Sequence, residues 1–168
     1  MRIYNCFINY IHIDVTVKSM GDQRNIEYKP LKAEINTKIW SGKDAKLHFL
    51  PPLLSNSIVF LLPYELSKSS TNFLISVNEP SIVYIGYSHR EIKNSSYGWK
   101  KDSFSKMGFE EVRKELKGSN AVQIQHDRYD RCSLTLFRKT LDAQNLKYQL
   151  QAADTIYTSV VIFVVQGN

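Results

Sequence analysis

Cysteine is nearly absent: Cys6 and Cys132 are the only two in 168 residues. A pair so far apart is no disulfide scaffold. Both are expected as reduced, buried thiols, which with the features below points to an intracellular, cytoplasmic protein. Long apolar runs are missing as well. The longest, Val160 to Val165, has six residues, against roughly 20 for a membrane helix, so an integral helical membrane protein is excluded. Met1 to Asp14 breaks its apolar positions with Asn, His and Asp, so no secretory leader is expected there. Asn94-Ser95-Ser96 fits the N-glycosylation triplet, but nothing else signals secretion.

Catalytic signatures are also lacking. The seven glycines are all isolated, which leaves neither a Gly-x-Gly-x-x-Gly turn nor a phosphate-cradling loop. No Gly-x-Ser-x-Gly elbow is present to expose a nucleophile. His12, His48, His89 and His126 include no pair at i, i+4 and no cysteine at ligand spacing, so no zinc site is expected. Asp127 and Asp130 offer carboxylates to a cation, but Arg128 and Arg131 oppose one and pair with them instead. Glu110 and Glu111 are adjacent and point apart on a strand, which leaves no carboxylate pair for glycoside cleavage. The chain is therefore expected to be non-catalytic, with no metal and no cofactor.

What is present reads as strands. Hydrophobic residues make up 43% and charged ones 23%, a globular balance. Ile11, Ile13, Val15 and Val17 alternate with polar residues, the pattern of a strand with one buried face. Leu47 to Leu50 is a short strand stopped by Pro51-Pro52. Ile58 to Leu62 reads as a strand covered on both sides. Phe73, Ile75 and Val77 alternate again, and the four-residue loop Asn78 to Ser81 joins this run to Ile82–Tyr87, which predicts a hairpin. Leu134 to Lys139, Lys147 to Leu150 and Ile156 to Val165 complete the set. Residues 104–117 remain open between helix and edge strand, because Gly108 and the short apolar stripe weaken a helix there. The expectation is an all-β, antiparallel, jelly-roll-like sandwich in one domain, 1–168, with residues 1–36 as an N-terminal extension contributing one strand.

From Thr37 to Val165 the order of pieces resembles a β-sandwich module appended to bacterial polysaccharide-degrading enzymes and cell-surface proteins. The resemblance is carried by Ile39-Trp40 before a polar turn, then Leu47-His48-Phe49-Leu50-Pro51-Pro52-Leu53-Leu54, Val83-Tyr84-Ile85-Gly86-Tyr87 and Leu134 to Asn145. It implies the sandwich fold, a core role for Trp40 and carbohydrate-related neighbours. Where the family shows Pro-x-Trp-Leu, this chain has Tyr97-Gly98-Trp99-Lys100.

The net charge of +6 has a focus. Between His89 and Lys117, eight basic residues (Arg90, Lys93, Lys100, Lys101, Lys106, Arg113, Lys114 and Lys117) stand against five acidic ones (Glu91, Asp102, Glu110, Glu111 and Glu115). Tyr97, Trp99, Phe104 and Phe109 are interleaved. Arg90, Lys93, Tyr97, Trp99, Lys100, Lys101, Phe104 and Lys106 are the candidate partner- or ligand-binding residues, since exposed aromatics beside lysine anchor in pockets or stack on rings. Against this stands a packing role, in which Trp99 and Phe104 fold back onto the open end of the sandwich. The expected function is a binding or assembly module, a small basic subunit docking on an acidic protein partner. The alternative is a carbohydrate-binding module. Nucleic acid is a second, less favoured alternative, because the charge is lysine-rich, mixed with glutamate and without an RNA-binding signature.

Overall fold

The computed structural model describes residues 13–20, 26–63, 72–88, 101–112, 121–126, 130–150 and 160–167. The described elements follow in chain order. They are β1 (Val15–Met20), β2 (Ile26–Glu27), β3 (Pro30–Lys32), β4 (Trp40–Ser41), β5 (Ala45–Phe49), a 3-10 turn Pro52–Leu54, β6 (Ile58–Phe60), β7 (Leu62–Pro63), β8 (Asn72–Val77) and β9 (Ser81–Ser88). Helix α1 (Lys101–Lys106), β10 (Glu110–Glu111), β11 (Gln123–His126), β12 (Asp130–Leu141), β13 (Lys147–Leu150) and β14 (Val160–Gln166) complete the described elements. Among the described residues the fold is all-β with one short helix, its antiparallel sheets curled into a half-barrel, as a sandwich predicts.

The larger sheet runs β3-β6-β14-β9-β12-β11-β5, with β10 also paired to β12. The smaller runs β13-β8-β1-β2, and β4 and β7 form a parallel pair. Both main sheets feed one core, in which Val17, Phe73 and Ile75 of the small sheet are grouped with Ile85, Phe137 and Phe163 of the large one. Val160 to Val164 are all buried, as a continuous apolar strand covered on both faces must be. Trp40 is buried too, and its Nε1–H donates to the Val160 carbonyl at 3.1 Å. That bond gives the indole nitrogen the partner it needs inside the core and ties the β4–β7 pair to the large sheet.

Three expectations change. The hairpin predicted between β8 and β9 does not form, because β8 lies between β1 and β13 while β9 lies between β12 and β14. The loop instead carries the chain from one sheet to the other. Its Asn78 exchanges hydrogen bonds with Asp14 beside the small sheet, and Gly167 N–H donates to the Pro80 carbonyl beside the large one. Second, residues 1–36 contribute three described strands, not one. β2 and β3 are two and three residues long and edge-placed, too short to show a period. Third, the open choice over 104–117 takes both answers within its described part, 104–112: α1 and then β10, with 113–117 outside the described residues.

Cys132 is buried, and Cys6 lies outside the described residues. Among the described residues no helix is long and apolar enough to cross a membrane.

Candidate interaction segment

The described part of the basic, aromatic segment is 101–112, and its local structure follows from one glycine. Gly108 has φ +80°, in the left-handed region that side chains with a Cβ avoid. Gly108 N–H donates to Ser105 O at 3.0 Å, and Phe109 N–H reaches back to Phe104 O at 2.9 Å. This bond pair is a Schellman cap, in which the residue after the glycine packs on the helix's last turn. Phe109 does so, its ring edge-on to Phe104 with centroids 6.0 Å apart. Gly108 therefore ends the helix rather than merely weakening it.

Strands of both sheets hold the capped helix. Phe104 stacks on Phe137 of β12, centroids 4.5 Å apart and planes 15° from parallel. Phe109 meets Tyr148 of β13 edge-on at 5.4 Å. The Met107 carbonyl accepts from both Lys139 Nζ at 2.8 Å and Tyr148 Oη at 3.1 Å. Lys139 Nζ also lies 4.5 Å from the Tyr148 ring centre and 5.7 Å from that of Phe109, within cation–π reach. Burial pushes the Tyr148 phenol above its ordinary 10.0, so it keeps the proton it donates to Met107. One carbonyl thus pins the helix end to β12 of the large sheet and β13 of the small one.

Adding a Cβ at position 108 would strain the left-handed backbone and place the new atom 2.8 Å from Lys139 Nζ. Gly108→Ala is accordingly expected to lower unfolding stability by about 1–3 kcal/mol. Gly108→Asn should cost less, since Asn tolerates this backbone. Urea denaturation of the two variants checks the order, and an unchanged midpoint for Gly108→Ala would contradict this account of the cap.

β10 continues the segment along β12, with Glu110 opposite Arg138 at 3.5 Å and Glu111 opposite Phe137. The Glu110–Arg138 pair is largely exposed and contributes little to stability. Glu111 is half-buried, and desolvation raises its carboxyl above the ordinary 4.5. A raised acid binds more protons folded than unfolded. Its contribution is therefore most favourable below 4.5 and is lost as pH rises through the raised value. Glu111→Gln, which keeps the neutral shape, should gain on the native protein between pH 4.5 and 7 in urea midpoint. Parallel pH profiles for the two proteins would contradict the assignment.

Arg90, Lys93, Tyr97, Trp99 and Lys100 lie outside the described residues. Lys101 opens α1, and Lys106 closes it exposed to solvent. Phe104 requires a correction. It is 0% exposed between Phe137 and Phe109, so the folded protein presents none of its ring to a partner. Residues not anticipated here are Met107, Lys139 and Tyr148. Only the place of Lys139, two positions beyond Phe137 on the same strand face, hinted at the clamp.

Neither a protein-family model nor a curated protein matches the chain. Solved structures do. A beta-glucuronidase from glycoside hydrolase family 2 aligns with TM-score 0.60 and 10% identity, over 90% of this chain and 14% of that one. The fold resembles portions of glycoside hydrolases. An enzyme of glycoside hydrolase family 138 targeting pectin rhamnogalacturonan II aligns with TM-score 0.57 and 13% identity, over 89% of this chain and 16% of that one. The chain thus spans about a seventh of each. At such identities the likeness establishes the β fold, in keeping with the module that the order of pieces resembled.

Proposed function

We propose that the chain is a non-catalytic β-sandwich binding module, a small basic subunit that docks on an acidic protein partner within a larger intracellular assembly. The observation behind this reading is the distribution of charge. Glu27, Glu34, Asp44 and Glu110 already face Lys18, Lys32, Lys46 and Arg138 at 2.7–3.8 Å. Lys29, Lys38, Lys106, Arg131 and Lys147 are exposed, and no described carboxylate lies within ion-pair distance of them. Among the described residues these positive charges are therefore displayed rather than neutralised, which suits an acidic surface.

Carbohydrate binding is the second reading, favoured by the likeness to a beta-glucuronidase and a pectin-targeting enzyme. It needs exposed rings for stacking. Trp40, Phe104, Phe109 and Phe137 are buried, so that reading rests on Tyr97 and Trp99, outside the described residues. Purification of the protein from its own cells, with its companions identified by mass spectrometry, tests the proposal. Recovery with a stoichiometric acidic partner is expected. Recovery alone, with glycan-array binding that Trp99→Ala abolishes, would overturn it in favour of the sugar reading.

A further inference from the structure

Four residues stand side by side across neighbouring strands at one edge of the large sheet. Lys38 bridges to Lys46 of β5, Lys46 lies opposite Gln125 of β11, and Gln125 lies opposite Arg131 of β12. Directly opposite residues share a face. Lys38, Lys46 and Arg131 are exposed and Gln125 is half-exposed, while the flanking Ala45, Leu47, Ile124 and Cys132 are buried. At about 4.8 Å per strand the row spans roughly 14 Å. Arg131 and Phe137 are six positions apart on β12 and so project from the same face. Phe137 is the ring that carries α1, so the row lies on the sheet face that holds the candidate segment.

The row is unfavourable for folding. Like charges directly opposite destabilise a sheet, and Lys38 and Lys46 are so placed. The one described carboxylate beside them, Asp44, is 3.8 Å from Lys46, at the far limit of an ion pair. We propose that the row Lys38–Lys46–Gln125–Arg131 is the docking surface for an acidic peptide segment of the partner protein. This rests on the acidic-partner reading above and gives it a location. Charge complementarity selects the occupant: carboxylates spaced along an extended chain meet the three cations Lys38, Lys46 and Arg131. A glycan fits less well, since it needs exposed rings to stack on and, among the described residues, Phe49 of β5 is only partly exposed and Trp40 is buried.

The test is a titration of the 15N-labelled protein with a twelve-residue poly-glutamate peptide at low salt. Amide shifts should concentrate at Lys46, Gln125 and Arg131. The double variant Lys38→Glu/Arg131→Glu should bind roughly tenfold more weakly, and Lys147→Glu on the small sheet less than twofold. Both variants alter exposed side chains: Lys147→Glu should keep the native melting temperature, and the double variant should keep or raise it, since Lys38→Glu sets opposite charges across from each other at Lys46. Shifts confined to 89–117 with unimpaired binding by the double variant would overturn the row while leaving the acidic-partner reading intact. No peptide binding by the native protein would overturn both. Binding of polygalacturonate with none of the peptide would assign the row to a glycan and overturn the proposal.

Discussion

Phe104→Ala is expected to lower unfolding stability by about 3–5 kcal/mol, the usual loss for a buried phenylalanine. Two packing partners fail together. The ring stacks on Phe137 at 4.5 Å and takes the edge of Phe109 at 6.0 Å, so its removal opens a cavity under both. Loss of the Phe104–Phe109 contact also removes the apolar half of the Schellman cap, whose bonds place Met107 under Lys139 and Tyr148. Urea denaturation should show the full loss, and hydrogen exchange should speed up at Phe109 and Val112, whose amides bond to Phe104 and Leu136. Phe104→Leu should retain much of the stability. If Phe104→Ala left the midpoint unchanged and weakened binding alone, the ring would belong to the interaction surface rather than the core.

Trp40→Ala should cost a similar amount, about 3–5 kcal/mol. The side chain is 1% exposed, and its nitrogen holds the Val160 carbonyl at 3.1 Å. Truncation therefore empties a large volume and leaves a buried acceptor short of a donor. Trp40→Phe separates the two effects. It fills most of the space but cannot donate, so a loss of about 1–3 kcal/mol is expected from the carbonyl. Equal losses for Trp40→Phe and Trp40→Ala would mean that the hydrogen bond outweighs packing at this site.

The parts of this fold that could be read from the chain are those with a clean period or a continuous apolar run. Phe73, Ile75 and Val77 alternate because β8 buries one face. Val160 to Val164 do not alternate because β14 is central and covered. Strand partners could not be read in the same way. A short loop between β8 and β9 looks alike whether the chain turns within a sheet or crosses to the other. Here Asp14 and Gly167, distant in sequence, decide it by bonding to opposite ends of the loop. Gly108 was visible, but its effect depends on φ and on Phe109 finding Phe104, neither of which spacing reports. The basic character of 89–117 was legible as composition. The row at Lys38, Lys46 and Arg131 was not, because its members are 8 and 85 positions apart and meet only through strand register.

The same register joins stability to function. β12 carries Phe137 and Lys139 near one end, where they hold α1, and Arg131 near the other, where it is exposed. Variants at the helix end should act through folding. Variants at Arg131 should act on association alone.

Salt dependence of binding to the co-purified partner bears most directly on the proposed function. Between about 0.05 M and about 0.3 M salt, screening should weaken an acidic partner's hold on the displayed lysines and arginine by tenfold or more. An affinity that ignores salt but disappears in Trp99→Ala would contradict the account.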